Sequence, residues 1–314
     1  MGFKITDASF ESETLRREGG GHTVEFEVLP RLGANLVSFK VDGRERLFFS
    51  RDELLGNDYM TGCFHMFPVP CRLAGCRYEF GGREVRQKKY GEDVFLHGLV
   101  RDEVFAVTRA EDAITCTLEV AEGHPVYEGY PFEHAFSLTF TALDRGLELA
   151  VAFENRGEAD APFAYGVHPF WRLYGARESI FVSIPFAKEL ELVDSVPNGR
   201  VVSVTETGHD FRAPKPLSEI QIDNVFWGRE GSRNAAIEFR EIRERLVLEA
   251  SAEMTHMVGY SPPDLPYVCV ENTVGAPNAP NIFRGGGALD PSGLVVVPPG
   301  GRARASVRYL VEDL

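Results

Sequence analysis

Residues 131–157, PFEHAFSLTFTALDRGLELAVAFENRG, decide how the rest of the chain is read. Phe136, Leu138 and Phe140 alternate with Ser137 and Thr139, and the same period of two returns at Leu147, Leu149, Val151 and Phe153. Successive side chains of a strand point to opposite faces, so this pattern predicts strands with one buried face. The intervening LDRG supplies Asp144 and Gly146, which permit a tight reversal, and the two runs are predicted to form a hairpin.

Outward from this hairpin, short runs read the same way: FEVLP from Phe26, FAVTR from Phe105, ITCTLEV from Ile114, IFVSIP from Ile180, AIEFR from Ala236, RLVLEAS from Arg245, LVVVPPGG from Leu294 and ASVRYLVE from Ala305. No stretch keeps apolar residues at i, i+3, i+4 and i+7 over several capped turns, and only DELLGNDYMTG (52–62) is read as one or two helical turns. The 31 glycines and 19 prolines are spread as turn punctuation, with no low-complexity linker and no repeat of solenoid or propeller period. The expectation is an all-β chain, a large antiparallel sandwich or barrel, forming one domain over residues 1–314.

Composition narrows the partners. With 314 residues, 44% of them hydrophobic, the chain can bury a large core, at about 25 cal/mol per Å² of apolar surface removed from water. A net charge of -14 repels polyanions, so neither nucleic acid nor an anionic membrane surface is expected as a partner. A neutral small molecule fits better, although a few local arginines can overrule a global charge. The five cysteines are odd in number and lack CxxC spacing, which argues against a disulfide framework or a zinc knuckle. Free thiols, a start (MGFKITDASFESETLRREGG) without signal-peptide character and no apolar run of about 18 residues lead to the expectation of a cytoplasmic protein.

Two histidines stand in short strings flanked by glycine and aromatic residues, His97 in LHGLVRD and His168 in YGVHPFW, and Glu271 follows far downstream in YVCVENTVGAPNAPN. Histidine and a carboxylate are suited to exchanging protons near neutral pH. Read alone, each has a plain structural alternative: a satisfied core or loop histidine, and a glutamate capping a turn. Arg72 in PVPCRLAGCRYEFGG offers five donors, and Asp223 in IQIDNVFWG offers a carboxylate able to accept from two adjacent hydroxyls. A surface arginine and a turn-capping aspartate are their alternatives.

The stretch from PFEHAFSLTFTALDRGLELAVAFENRG through PFAYGVHPFW resembles the aldose 1-epimerase (galactose mutarotase) family, and the likeness runs from RLGANLVSFKVDG near the start to VPPGGRARASVRYLVED at the close. The resemblance implies two large antiparallel sheets packed as a supersandwich, with a sugar cleft on a concave face and no metal or redox cofactor. It implies a small sugar as substrate and interconversion of its α and β anomers. Carried over, His168 is the acid that protonates the ring oxygen and Glu271 the base that takes the C1 hydroxyl proton; His97, Arg72 and Asp223 hold the sugar. The chain departs from the family's usual strings in three places. Phe170 and Trp171 replace Tyr-Phe and remove a phenolic hydroxyl, Cys71 stands where asparagine is common, and Asn224 replaces a second acidic residue. Phe226 or Trp227 is expected to supply the flat face on which a sugar stacks.

Other chemistries find less support. Gly285–Gly287 lacks the helix and Lys-Ser/Thr signature of a phosphate loop, and no Gly-x-Ser-x-Gly string marks an esterase. His65, His124, His134, His209 and His256 lack a partner at metal-ligand spacing and are read as structural or surface residues. Two rivals share the fold: a hexose-6-phosphate 1-epimerase, for which Arg77, Arg83, Arg86, Lys88 and Lys89 would supply cations, and a sugar-binding protein without catalysis. A glycosidase ranks lower, because it usually needs two carboxylates flanking the bond.

Overall fold

The computed structural model describes residues 7–56, 61–87, 94–229, 231 and 234–314. The predicted hairpin is present: His134–Leu143 pairs antiparallel with Gly146–Asn155, matching Phe136 with Phe153, Leu138 with Val151 and Phe140 with Leu149. All six rings and chains sit in the core between two sheets. The predicted helix spans Arg51–Gly56, and residues 57–60 of its string lie outside the described residues.

Among the described residues the larger sheet has twelve strands. Its main path runs Glu13–Gly19, His22–Leu29, Asn35–Val41, Cys63–Met66, Tyr165–Pro169, Tyr267–Val274, His256–Tyr260, Asp223–Arg229, Phe186–Val193, Val196–Ser203. A second sheet of nine strands contains the hairpin, extended by Arg302–Asp313, Glu244–Ala250 and Ala235–Phe239. The pairings are antiparallel, and the two sheets enclose one large apolar cluster that includes Phe26, Phe39, Tyr165, Trp171 and Tyr309. This is the galactose mutarotase-type sandwich that the resemblance implied. The LVVV run forms a strand as expected, Val295–Val297, which pairs with Ala161–Phe163 in a separate two-stranded ribbon. Among the described residues no helix is long and apolar enough to cross a membrane.

Both faces of the larger sheet are covered at its centre. Along Tyr267–Val274, Val268, Val270 and Val274 enter the core between the sheets, whereas Tyr267 and Cys269 join a second apolar cluster with Phe64, Met66, Phe170, Val225 and Val258 on the opposite face. That opposite face is partly roofed by the Arg72–Ala74 strand, the segment after Leu96 and the hairpin turn at Asp194 and Ser195. The space left beneath the roof is the cleft described next.

Candidate functional site

Register brings the two central side chains together. The Tyr165–Pro169 strand pairs Tyr165 with Val274 and Gly166 with Thr273, and the pairs Trp171–Val268 and Arg172–Tyr267 beyond it hold the same register. His168 and Glu271 are opposite one another in that register, and Nε2 of His168 lies 3.3 Å from Oε1 of Glu271. Glu271 is also paired with Val258, and Val258 with Val225, so these residues form one row across the sheet. Gly166 explains how close the strands come: an added Cβ would stand 2.6 Å from Met66 Cε and 2.9 Å from Pro70 Cβ. Phe170 stacks on the His168 ring at 4.6 Å between centroids, and Phe64 covers it at the same distance. Trp171 instead packs on Tyr309 in the core between the sheets, so only the first of the two aromatics supports the histidine.

The row opens into a cleft lined by Arg72, His97, His168, Asp223, Tyr260 and Glu271, with Cys71, Leu96, Leu192, Ser195, Val225, Val258 and Pro277 completing the wall. All five residues singled out from sequence therefore face one space. His97 reaches it from a strained turn. Its φ is +62°, its N–H donates to the Cys71 carbonyl at 2.7 Å, and Gly98 follows at φ +74° with Phe67 backbone atoms 2.4 Å and 2.5 Å from where a Cβ would stand. Among the described residues no hydrogen-bond partner meets the buried Nδ1 of His97 or of His168. Arg72 opens the Arg72–Ala74 strand opposite Leu96. Asp223 opens the Asp223–Arg229 strand opposite Tyr260 and is exposed at the cleft mouth.

Burial sets the protonation of the pair. Removal from water raises the Glu271 carboxyl well above its usual range, with the Asp223 charge adding to the rise and the Cys71 thiol and Arg72 opposing it. Removal from water also lowers His168, to about 3, helped by the nearby Arg101 charge. His97 is depressed by burial and then by Arg101, His168 and Arg72. Both members of the pair are thus driven toward their neutral forms, a carboxylic acid and an imidazole. Moving the carboxylic proton to the imidazole, 3.3 Å away, would give the carboxylate–imidazolium pair.

Several sequence expectations need correction in detail. Glu271 lies within the Tyr267–Val274 strand, not at its end, so its apolar surroundings come from both flanking strands. Phe226 is buried in the core between the sheets and Trp227 stacks near Lys188, 5.2 Å from ring centre to Nζ; neither lines the cleft, and Tyr260 supplies an aromatic there instead. Cys71 does not leave a gap where asparagine is common, because its Sγ lies 3.7 Å from Oε2 of Glu271. Arg101 and Asp102, which close the LHGLVRD string, are buried, and the Arg101 guanidinium lies 5.4 Å over Phe64, which itself stacks on His168. Tyr260 and Ser195 carried no motif; the register opposite Asp223 and the left-handed turn at Ser195 bring them in. His168, Cys269 and Glu271 place possible metal-ligating atoms within 4.8 Å of one another.

The remaining histidines have structural partners. His65 bonds Tyr165 Oη at 2.8 Å, His134 the Phe132 carbonyl at 2.7 Å, and His256 the Pro291 carbonyl at 2.9 Å. His124 accepts from Val126 N at the start of Pro125–Gly129, and His209 meets Glu189 at 2.9 Å. In the Gly285–Gly287 segment the Asp290 carboxylate accepts from the Arg284 and Gly286 N–H groups, leaving no anion cradle there.

Residues 20–309 match the family model described as aldose 1-epimerase. Among curated proteins, the uncharacterized protein YihR of Escherichia coli (strain K12) is 27% identical over 170 residues, 51% of this chain and 53% of that protein. The maltose epimerase of Levilactobacillus brevis is 24% identical over 200 residues, 60% of this chain and 58% of that protein. The chain thus spans little more than half the length of these two relatives. A galactose mutarotase-like protein from Clostridium acetobutylicum superimposes with a TM-score of 0.83 at 19% identity, covering 97% of this chain and 96% of that one.

Proposed function

The chain belongs to the aldose 1-epimerase family, and from that premise we propose that it interconverts the α and β anomers of a hexose, with Glu271 as base and His168 as acid. The observation that carries this reading is the buried Glu271–His168 pair, 3.3 Å apart, in a cleft that Arg72, His97 and Asp223 also line. Glu271 takes the proton of the C1 hydroxyl while His168 Nε2 gives one to the ring oxygen. The O1–H electron pair becomes the carbonyl π bond, and the C1–O5 pair stays on the new C5 hydroxyl. Rotation about C1–C2 and the reverse transfers onto the other carbonyl face close the ring as the second anomer.

Opening the ring converts carboxylate and imidazolium into carboxylic acid and imidazole. Those neutral forms are the ones burial favours, so ring opening returns the pair to its resting protonation. Arg72, His97 and Asp223 line the same cleft and are assigned the hydroxyls. A relative named maltose epimerase is in keeping with a sugar substrate.

A free sugar is favoured over a 6-phosphate. Arg77 and Arg86 bracket Glu84 at 3.7 and 3.0 Å and line a separate groove with Asn281, and Lys88 and Lys89 lie outside the described residues. Among the described residues Arg72 is the one Lys or Arg lining the cleft. Magnetisation-exchange NMR of α- and β-galactose, glucose and glucose 6-phosphate tests the reading. Faster exchange of a free hexose than of the phosphate is expected; no acceleration of any sugar overturns the catalytic reading in favour of a binding protein.

A further inference from the structure

We propose that the catalytic pair and its flanking thiols form a binding site for a borderline-soft divalent cation of the zinc type, mutually exclusive with a bound sugar. The ligand atoms of His168, Cys269 and Glu271 lie within 4.8 Å of one another, and all three side chains are buried. Zinc holds nitrogen, oxygen and sulfur at roughly 2.0–2.3 Å in a tetrahedron, which puts ligand atoms about 3.3–3.8 Å apart. The His168–Glu271 spacing of 3.3 Å already meets that requirement. Cys269 completes the group, its Sγ within 4.8 Å of both other ligand atoms. Cys71 adds a second thiol, its Sγ 3.7 Å from Oε2 of Glu271, on the wall of the cleft through which an ion enters.

Charge and ligand type point the same way. A divalent ion with the Glu271 carboxylate and one thiolate is neutral as a unit, which removes the cost of holding a bare carboxylate away from water. Arg72 on the cleft wall and Arg101 near His168 offset a second thiolate if Cys71 also binds. A thiol, an imidazole and a carboxylate favour zinc or cobalt over magnesium or calcium, which take oxygen ligands. On binding, the thiol protons pass to solvent and the imidazole lone pair at Nε2 goes to the metal. These are the same lone pairs that the proton transfers use, so an ion there blocks anomer exchange. That last clause rests on the proposed reaction; the binding itself does not.

The test uses the purified full chain, stripped with chelator, with Co2+ as an optical probe and Zn2+ in competition. One equivalent of Co2+ is expected to produce a thiolate-to-cobalt charge-transfer band that Zn2+ abolishes. Affinity should fall at least tenfold in both Cys269→Ser and Cys269→Ala, each checked by thermal melting, and likewise in His168→Asn. Absence of a charge-transfer band in the wild type overturns the proposal, as does binding unchanged in a folded Cys269 variant. Failure of sugar exchange in the metal-free protein would count against the reaction while leaving the optical result to stand or fall alone.

Discussion

His168 Nε2 and Glu271 Oε1 are 3.3 Å apart because two strands separated by about a hundred residues hold a single register on both sides of the pair. Both side chains are therefore fixed by backbone pairing rather than by a flexible loop. Side chains on rigid strands hold reacting groups to the tolerance that proton transfer needs.

Acid lowers the stability of this fold near pH 6. His65 and His168 are depressed to about 3, and His134 and His256 to about 4, all by burial. Below the unfolded value near ~6.5 the unfolded chain takes up protons that the native state refuses, so stability falls as pH falls toward those folded values. Glu271 acts in the opposite sense: its raised carboxyl costs stability as pH rises above the usual carboxylate range. With His97 depressed by burial as well, five histidines outweigh one carboxyl, each worth up to about 2 kcal/mol between pH 6.5 and 5. Denaturant midpoints should drop on acidification over that interval, and an unchanged or higher midpoint at pH 5 contradicts this.

Gly98→Ala tests the turn that presents His97. The substitution meets Phe67 backbone atoms at 2.4 and 2.5 Å in a left-handed conformation. A cost of at least about 2 kcal/mol is expected from strain and displaced backbone. Sugar KM should rise with it, read by melting and steady-state kinetics on the same preparation; wild-type stability and KM together would refute the role of the turn.

Cys71 tunes the base. Its thiol lies 3.7 Å from Oε2 of Glu271 and opposes the rise in the carboxyl's pKa. Cys71→Ala should move the acidic limb of the kcat/KM profile upward by about half a unit, a weak donor's worth. Cys71→Ser should restore the limb, and identical profiles in all three proteins would show the thiol to be a filler.

Arg72→Ala and Asp223→Asn remove cleft-lining groups that the proposed reaction assigns to the sugar hydroxyls rather than to the reacting bond. Each should raise KM more than it lowers kcat, by about tenfold for a lost charged hydrogen bond. A fall confined to kcat would move the residue into the proton-transfer machinery.

The sequence made the hairpin at 134–155 legible because one of its faces meets water, so apolar and polar residues alternate. The strand Tyr267–Val274 gave no such signal: all eight residues are buried, and apolar side chains occupy both faces. The five site residues were legible through the strings around them. Ser195 was not, since it enters the cleft from a turn in which Asp194 and Ser195 both have positive φ without glycine. Tyr260 depends on pairing with Asp223 across the sheet, a relation that distance along the chain does not encode.

The most direct measurement is anomer exchange of the preferred free hexose by NMR for wild type, Glu271→Gln and His168→Asn, each shown by circular dichroism and melting to be folded. The acid–base account predicts acceleration by the wild type and a loss of about 10²–10⁴-fold in each variant. Wild-type exchange rates in either folded variant would contradict it.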